Sequence, residues 1–357
     1  MEQHIGHRAY YENLRRFTDA LPHVRAQWVE VTYRAPGSRW AQMPFVPERV
    51  RGSLIGRDQV RHGIAQHPAD ILLFSTQVPA VLAGGVIRTR PYVLCTDITP
   101  LQYDGMAEHY GHHPDRLGLI KRYKQWVNAQ VLRGAALVIP WSQWAARSIC
   151  ADYGVDEARV TVIAPGVDLA LWHPTPRVED GPLQILFVGG DLARKGGEDL
   201  LAAFRALAPG SAELHLVTRA PLPPEPGVRV YNDLRPNSPE LIALYRACDL
   251  FVLPTKAEAF GIAAVEASAA GLPVIATAVG GLTDIVIDGE TGLHMPPGDV
   301  AMLTRHLRLL IEDPALRRRL GLAARARAEA RFDARVNAAR IVDLLQEIVA
   351  RTPPHPG

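Results

Sequence analysis

Between residues 184 and 300 the chain alternates short apolar runs with amphipathic stretches, an order that few architectures accept. The runs are QILFV (184–188), ELHLV (213–217), VRVYN (228–232), LFVLP (250–254) and PVIAT (273–277). Each is rich in Val, Ile and Leu without strict alternation, as expected of parallel strands covered on both faces. Helices are expected near 196–208, 239–247 and 261–270. Strand and helix in turn spell a doubly wound, Rossmann-like α/β domain, whose ligands sit at the carboxyl ends of its strands.

The first half is less regular but of the same kind. DILLFS (70–75), PYVLCT (91–96), ALVIP (136–140) and VTVIA (160–164) are strand candidates, with amphipathic helices expected near 8–20, 115–133 and 142–153. The 357 residues suit two such domains better than one. The stretch Pro174–Pro182, with its prolines, charges and glycine, reads as a linker. Residues 1–175 are therefore expected to form one domain and 182–332 the other. The tail from Pro314 to Arg351 reads as helical, and PPHPG after it as frayed. A Rossmann-like half ordinarily opens on a buried strand. Here a glycine turn, QHIGHR (3–8), arrives at once, as if that strand were truncated or the native start lay upstream.

Composition removes several function classes. A formal charge of +2 exerts no global pull toward nucleic acid. Cys95, Cys150 and Cys248 are odd in number and lack CxxC spacing, which speaks against a disulfide framework or a zinc site and for a reducing cytoplasm. No run approaches the roughly 18 apolar residues of a membrane span. The polar stretch Met1–Tyr10 is unlike a signal peptide.

Two motifs carry chemistry. In LPTKAEAFGIAAVEASAAGLPVIAT (253–277), Glu258 and Glu266 stand eight residues apart around a helix start at Phe260-Gly261. Unpaired N–H groups and partial positive charge at a helix N-terminus suit an anion or a ring of hydroxyls, and flanking carboxylates suit a hydroxyl-rich ligand. Glu266, mid-helix among apolar residues, needs a partner. In FVGGDLARKGGEDLLAAF (187–204), Gly189-Gly190 turn the chain after a strand, with Arg194 and Lys195 beside them. Glycines let backbone approach a phosphate, and the cations suit a departing diphosphate.

The E-x7-E spacing resembles the signature of retaining, GT-B-type glycosyltransferases of family 4 (glycosyl transferases group 1). The block VIPWSQWAARSICADYGVDEARVTVIAPGVDLALWHP (138–174) resembles that family's hinge-proximal stretch. Its Asp168 reads equally as a turn residue. GGLTDIVIDGETGLHMPPGD (280–299) is similar too, with Gly280, Gly281 and Asp284 near the nucleotide and Gly289 and Gly292 as turns.

The resemblance implies a GT-B fold, two Rossmann-like domains facing a central cleft, with a C-terminal helix (333–351) crossing back to the N-terminal domain. It implies transfer of a sugar from a UDP-, GDP- or ADP-linked donor to a hydroxyl of a glycan, lipid or small molecule, with retained anomeric configuration. Glu258 would lie beside the transferred sugar, and Glu266 would bind the ribose. Arg194 and Lys195 would clamp the diphosphate, and Gly189, Gly190, Ala259, Phe260, Gly261 and Ile262 would line the donor. No cofactor and no metal are expected, since the cations and helix N-termini supply positive charge and no Asp-x-Asp motif is present.

The acceptor side is less defined. Gly6 aligns with the glycine loop that in the family faces the donor's diphosphate from the N-terminal domain, and His7 either contacts acceptor or leaving group or is a surface histidine. Asp97 falls where relatives often carry a His-Asp pair, with Thr96 in the histidine's place; it is an acceptor contact or a turn aspartate. HYGHH (109–113), flanked by Glu108 and Asp115, fits no common metal spacing and reads as a loop. DRLGLIKRYKQWVNAQVLR (115–133) sets Arg116, Lys121, Arg122 and Lys124 beside Leu117 and Trp126. That is a solvated helix face or a peripheral contact with an anionic membrane, on its inner face if the protein is cytoplasmic. Two other functions would keep the fold: a nucleotide-sugar epimerase and a non-catalytic sugar-nucleotide binder.

Overall fold

The computed structural model of the protein describes residues 5–43, 45–114, 118–175 and 181–352. The described residues of Met1–Gly105, Pro114–Ala164 and Arg335–Gly357 form one compact unit, and those of Met106–His113 and Pro165–Ala334 a second. The division falls at Ala164/Pro165, ahead of the expected linker, of which residues 176–180 lie outside the described residues.

The first unit is built on a parallel sheet of three strands in the order β1-β2-β3: β1 (Leu72–Phe74), β2 (Tyr92–Thr96) and β3 (Leu137–Pro140). β2 is buried along its whole length, as its apolar run predicts. VTVIA does not become a fourth strand. Thr161 and Ile163 donate to the carbonyls of Val138 and Pro140, but only the single bridge Val138↔Val160 forms. The next bridge needs an N–H from Pro140, which proline lacks.

The expected glycine turn at residues 3–8 is corrected likewise: Gly6 lies inside the helix Ile5–Asp19. That helix buries Tyr10 and Leu14; the Tyr10 hydroxyl donates to Cys95 Sγ at 3.6 Å, and its ring packs 4.9 Å from Trp141. Residues 1–4 and the His7 side chain lie outside the described residues, as do 115–117 and 353–357. A helix over Glu48–Gln66, without a clear apolar stripe in sequence, contributes Val60 and Ile64 to the core.

The second unit holds six parallel strands in the order β6-β5-β4-β7-β8-β9. They are β4 (Leu183–Val188), β5 (Ala212–Val217), β6 (Val228–Tyr231), β7 (Leu250–Leu253), β8 (Val274–Thr277) and β9 (Gly292–Met295). β4 pairs with β5 on one side and β7 on the other, so the strand order reverses at β4 and its carboxyl end opens on the topological switch point. β9 was not foreseen. Gly292 begins it rather than making a turn: a Cβ there would stand 2.1 Å from the Val274 carbonyl, and only glycine lets the strand pair so closely. Gly289, at φ +71°, does make a turn. The helical tail is two helices, Pro314–Arg331 and Ala334–Arg351, broken where Phe332 turns inward against Phe260, rings 6.4 Å apart. From Arg335 onward the last helix belongs to the first unit, where Asn337 Nδ2 donates to the Ala164 carbonyl at 3.0 Å.

Candidate active site

The two sequence motifs meet because β4 and β7 are neighbours, in register at Ile185↔Leu250 and Leu186↔Phe251. Both chains leave the sheet at the same end. After β4, Gly189-Gly190 turn, and the loop runs to the helix Gly197–Arg205; Gly196, at φ +76°, would put a Cβ 2.0 Å from the Pro254 carbonyl. The loop after β7 is thereby pressed against the one after β4. Thr255 Oγ1 lies 3.1 Å from the Arg194 carbonyl, and Lys256 N–H donates to that carbonyl at 2.8 Å.

At this junction Lys195 Nζ donates to Glu258 Oε2 in a short ion pair, the two side chains 16% and 10% exposed. The loop of Gly280-Gly281 backs the glutamate. A Cβ at Gly280 would fall 1.8 Å from the Glu258 carbonyl, and Gly281 N–H donates to Ala259 O at 3.1 Å. Gly261, at φ +110°, is the N-cap of the helix Ile262–Ala269. It brings no side-chain cap, so that helix's first N–H groups are left for another acceptor.

Arg194 is turned onto its own unit. Nη1 donates to the Ala257 carbonyl at 2.9 Å, Nε lies 3.4 Å from the Asp191 carboxylate, and the guanidinium sits 4.7 Å from the Tyr110 ring centre. Nothing in the sequence signalled Tyr110, whose segment joins the second unit across a long stretch of chain. Glu266 is buried one helical turn and more past Gly261, and accepts from the Tyr245 hydroxyl at 3.0 Å. Burial pushes its carboxyl up from 4.5 to about 7, with the Tyr245 bond pulling partly the other way.

The remaining candidates lie elsewhere in the sequence. Asp97 follows β2 at its carboxyl end, half-buried. Thr96 Oγ1 beside it lies 2.8 Å from both Gln77 Oε1 and the Ile98 carbonyl. Asp168 makes a turn, accepting from Ala170 N–H at 3.0 Å. HYGHH forms the end of a short helix and a loop, and among the described residues no three His, Cys, Asp or Glu side chains gather as a metal site; Asp115 lies outside the described residues.

Residues 17–171 match the family model for Glycosyltransferase Family 4, and residues 229–327 that for Glycosyl transferases group 1. A glycogen synthase of Mycobacterium tuberculosis is 33% identical over 237 residues, 60% of this chain and 55% of that one. The chain thus spans about half the length of the curated relatives it matches. In fold it is similar to the sucrose-phosphate synthase of Thermosynechococcus elongatus, with a TM-score of 0.70 at 23% identity, covering 86% of this chain and 81% of that one. It is also similar to Anabaena Alr3699/HepE solved with UDP-glucose, TM-score 0.64 at 22% identity, covering 83% and 82%.

Proposed function

The chain belongs to the GT-B glycosyltransferases of group 1 and family 4, and from that premise we propose that it moves a sugar from a nucleoside diphosphate sugar to a hydroxyl acceptor with retention. The observation that carries the reading is the Lys195–Glu258 pair beside an uncapped helix N-terminus at the switch point of the second unit. An ammonium group has three donors, and Glu258 takes one. The others are available to the departing phosphate. The first N–H groups of the helix Ile262–Ala269 meet sugar hydroxyls or phosphate. Arg194 holds the Ala257 carbonyl and with it the loop that carries Glu258.

In the step itself the bond from C1 to the phosphate oxygen breaks, and its electron pair stays on the phosphate. The acceptor oxygen bonds to C1 from the same face and passes its proton to that phosphate oxygen. No second carboxylate is needed, in contrast to hydrolases that retain through a carboxylate pair. Lys195 and the helix N-terminus meet the growing negative charge, so the step is proposed to run without a metal. The relative solved with UDP-glucose supports a uridine donor among those to be tried. A thermal-shift series with UDP-, GDP- and ADP-sugars is expected to raise Tm with one base, by mass action. Proton NMR of the first product from an α-linked donor should show an α linkage. A β product overturns retention, and sugar interconversion without an acceptor favours an epimerase.

A second surface bears on the acceptor. On the helix Gly118–Gly134, Leu119, Ile120, Tyr123 and Trp126 are 82%, 43%, 64% and 58% exposed. They share a face at helical spacing, with Lys121, Arg122 and Lys124 exposed around them. No helix among the described residues is long and apolar enough to cross a membrane. Exposed aromatic and aliphatic groups ringed by lysine and arginine suit the surface of an anionic bilayer, which would present a lipid acceptor. Co-sedimentation with vesicles should rise with anionic lipid and fall with salt, and Trp126→Ala with Lys121→Glu should weaken it. Binding indifferent to all three rejects the contact.

A further inference from the structure

Lys195 shares its ammonium with Glu258 and Arg194 donates to the Ala257 carbonyl, which leaves room at a diphosphate for a further cation. Arg219 stands just past the carboxyl end of β5, the strand beside β4. The turn that carries it is braced. Asn232 Nδ2 donates to the Thr218 carbonyl at 2.9 Å and to the Ala220 carbonyl at 3.1 Å, and Ala220 N–H donates to Thr218 Oγ1 at 3.3 Å. The guanidinium reaches across to the glycine turn after β4. A Cβ on Gly190 would stand 2.9 Å from both its Nε and its Nη2. Absence of a side chain at 190 is therefore what lets this arginine lie against the turn. Among the described residues Arg219 is exposed and makes no hydrogen bond, ion pair or ring contact.

We propose that Arg219 binds the donor's diphosphate, filling with its guanidinium the space that Gly190 leaves open at the switch point. The inference rests on the reading of this site as one for a nucleoside diphosphate sugar. A guanidinium presents paired N–H donors in a fixed fork, which matches two oxygens of a diphosphate better than a lone ammonium does. The braced turn holds the backbone that carries it in place before binding. Gly190 and Arg219 then act as one device: the glycine supplies room and the arginine supplies charge.

Calorimetry on the full chain tests this with UDP, GDP and ADP and the matching nucleosides, the last by competition. Arg219→Ala is expected to weaken the preferred nucleoside diphosphate about 10–100-fold, the usual effect of losing hydrogen bonds between charged groups. Nucleoside affinity should stay as in the unaltered protein, and Arg219→Lys should recover part of the loss. The side chain is exposed, so Tm should not move. Diphosphate affinity within twofold of the unaltered protein overturns the assignment. Equal loss of nucleoside and diphosphate overturns it too, since the residue would then shape the pocket rather than meet the phosphates. If the unaltered protein binds none of the three diphosphates, the reading of the site falls, and this inference with it.

Discussion

Lys195→Ala is expected to lower kcat/KM for sugar transfer by about 10²–10³-fold, the usual cost of removing one positioned donor from a developing oxyanion. The loss should fall on kcat more than on KM, because the charge it meets grows as the C1–O bond breaks. A structural account of the same lysine predicts something different. Its partner Glu258 is nearly buried, so removing the ammonium leaves a carboxylate with no counter-charge and destabilises the loop. The double variant Lys195→Ala, Glu258→Gln separates the two. It restores charge balance, so a lysine that only holds Glu258 in place would leave the double variant with the Tm and turnover of Glu258→Gln alone. A lysine that meets the phosphate would give back Tm but not turnover. Unchanged kcat/KM in the single variant removes Lys195 from the mechanism.

The second unit was legible in the sequence because β7 and β8 are buried along their whole length and β4 and β5 nearly so, which makes their runs largely apolar. Five of its six strands lie within a residue or two of where the apolar runs stand. β9 escaped because GLHM is short, half polar and led by glycine, and its place depends on the Val274 backbone rather than on its own pattern. The first unit was less legible for a related reason. The helix Ile5–Asp19 carries a glycine and two histidine-flanked positions at its start, which read as a turn until Tyr10 and Leu14 found a core. VTVIA has strand composition, but Pro140 denies it a ladder. The motifs singled out Lys195, Glu258 and Glu266 as candidates, since spacing along one loop or helix is a sequence property. Their partners were not readable. Tyr245 meets Glu266 from another helix, Tyr110 meets Arg194 from a distant segment, and Arg219 meets Gly190 from the neighbouring strand. Such pairs depend on strand order, which no local pattern states.

Glu266 should make donor affinity and stability depend on pH in opposite directions. Its carboxyl titrates near 7 in the fold against an ordinary 4.5, because burial penalises the charge more than the Tyr245 hydroxyl relieves it. Between those values the folded chain holds a proton that the unfolded chain has lost. Stability therefore falls as pH rises through that window, by roughly 3 kcal/mol across all of it. Glu266→Gln, which keeps shape and cannot ionise, should flatten that slope and be the more stable protein at pH 8. Ribose hydroxyls donating to the carboxylate favour its charged form, so binding should expel the proton. Affinity for a nucleotide sugar, whose diphosphate does not titrate in this range, should then climb about tenfold from pH 6 to pH 8. Calorimetry in buffers of different ionisation enthalpy should show protons released near neutral pH, and Glu266→Gln should bind weakly with no release. If affinity is flat with pH and the glutamine variant binds as tightly, Glu266 serves Tyr245 and the helix core, and the ribose is held by another group.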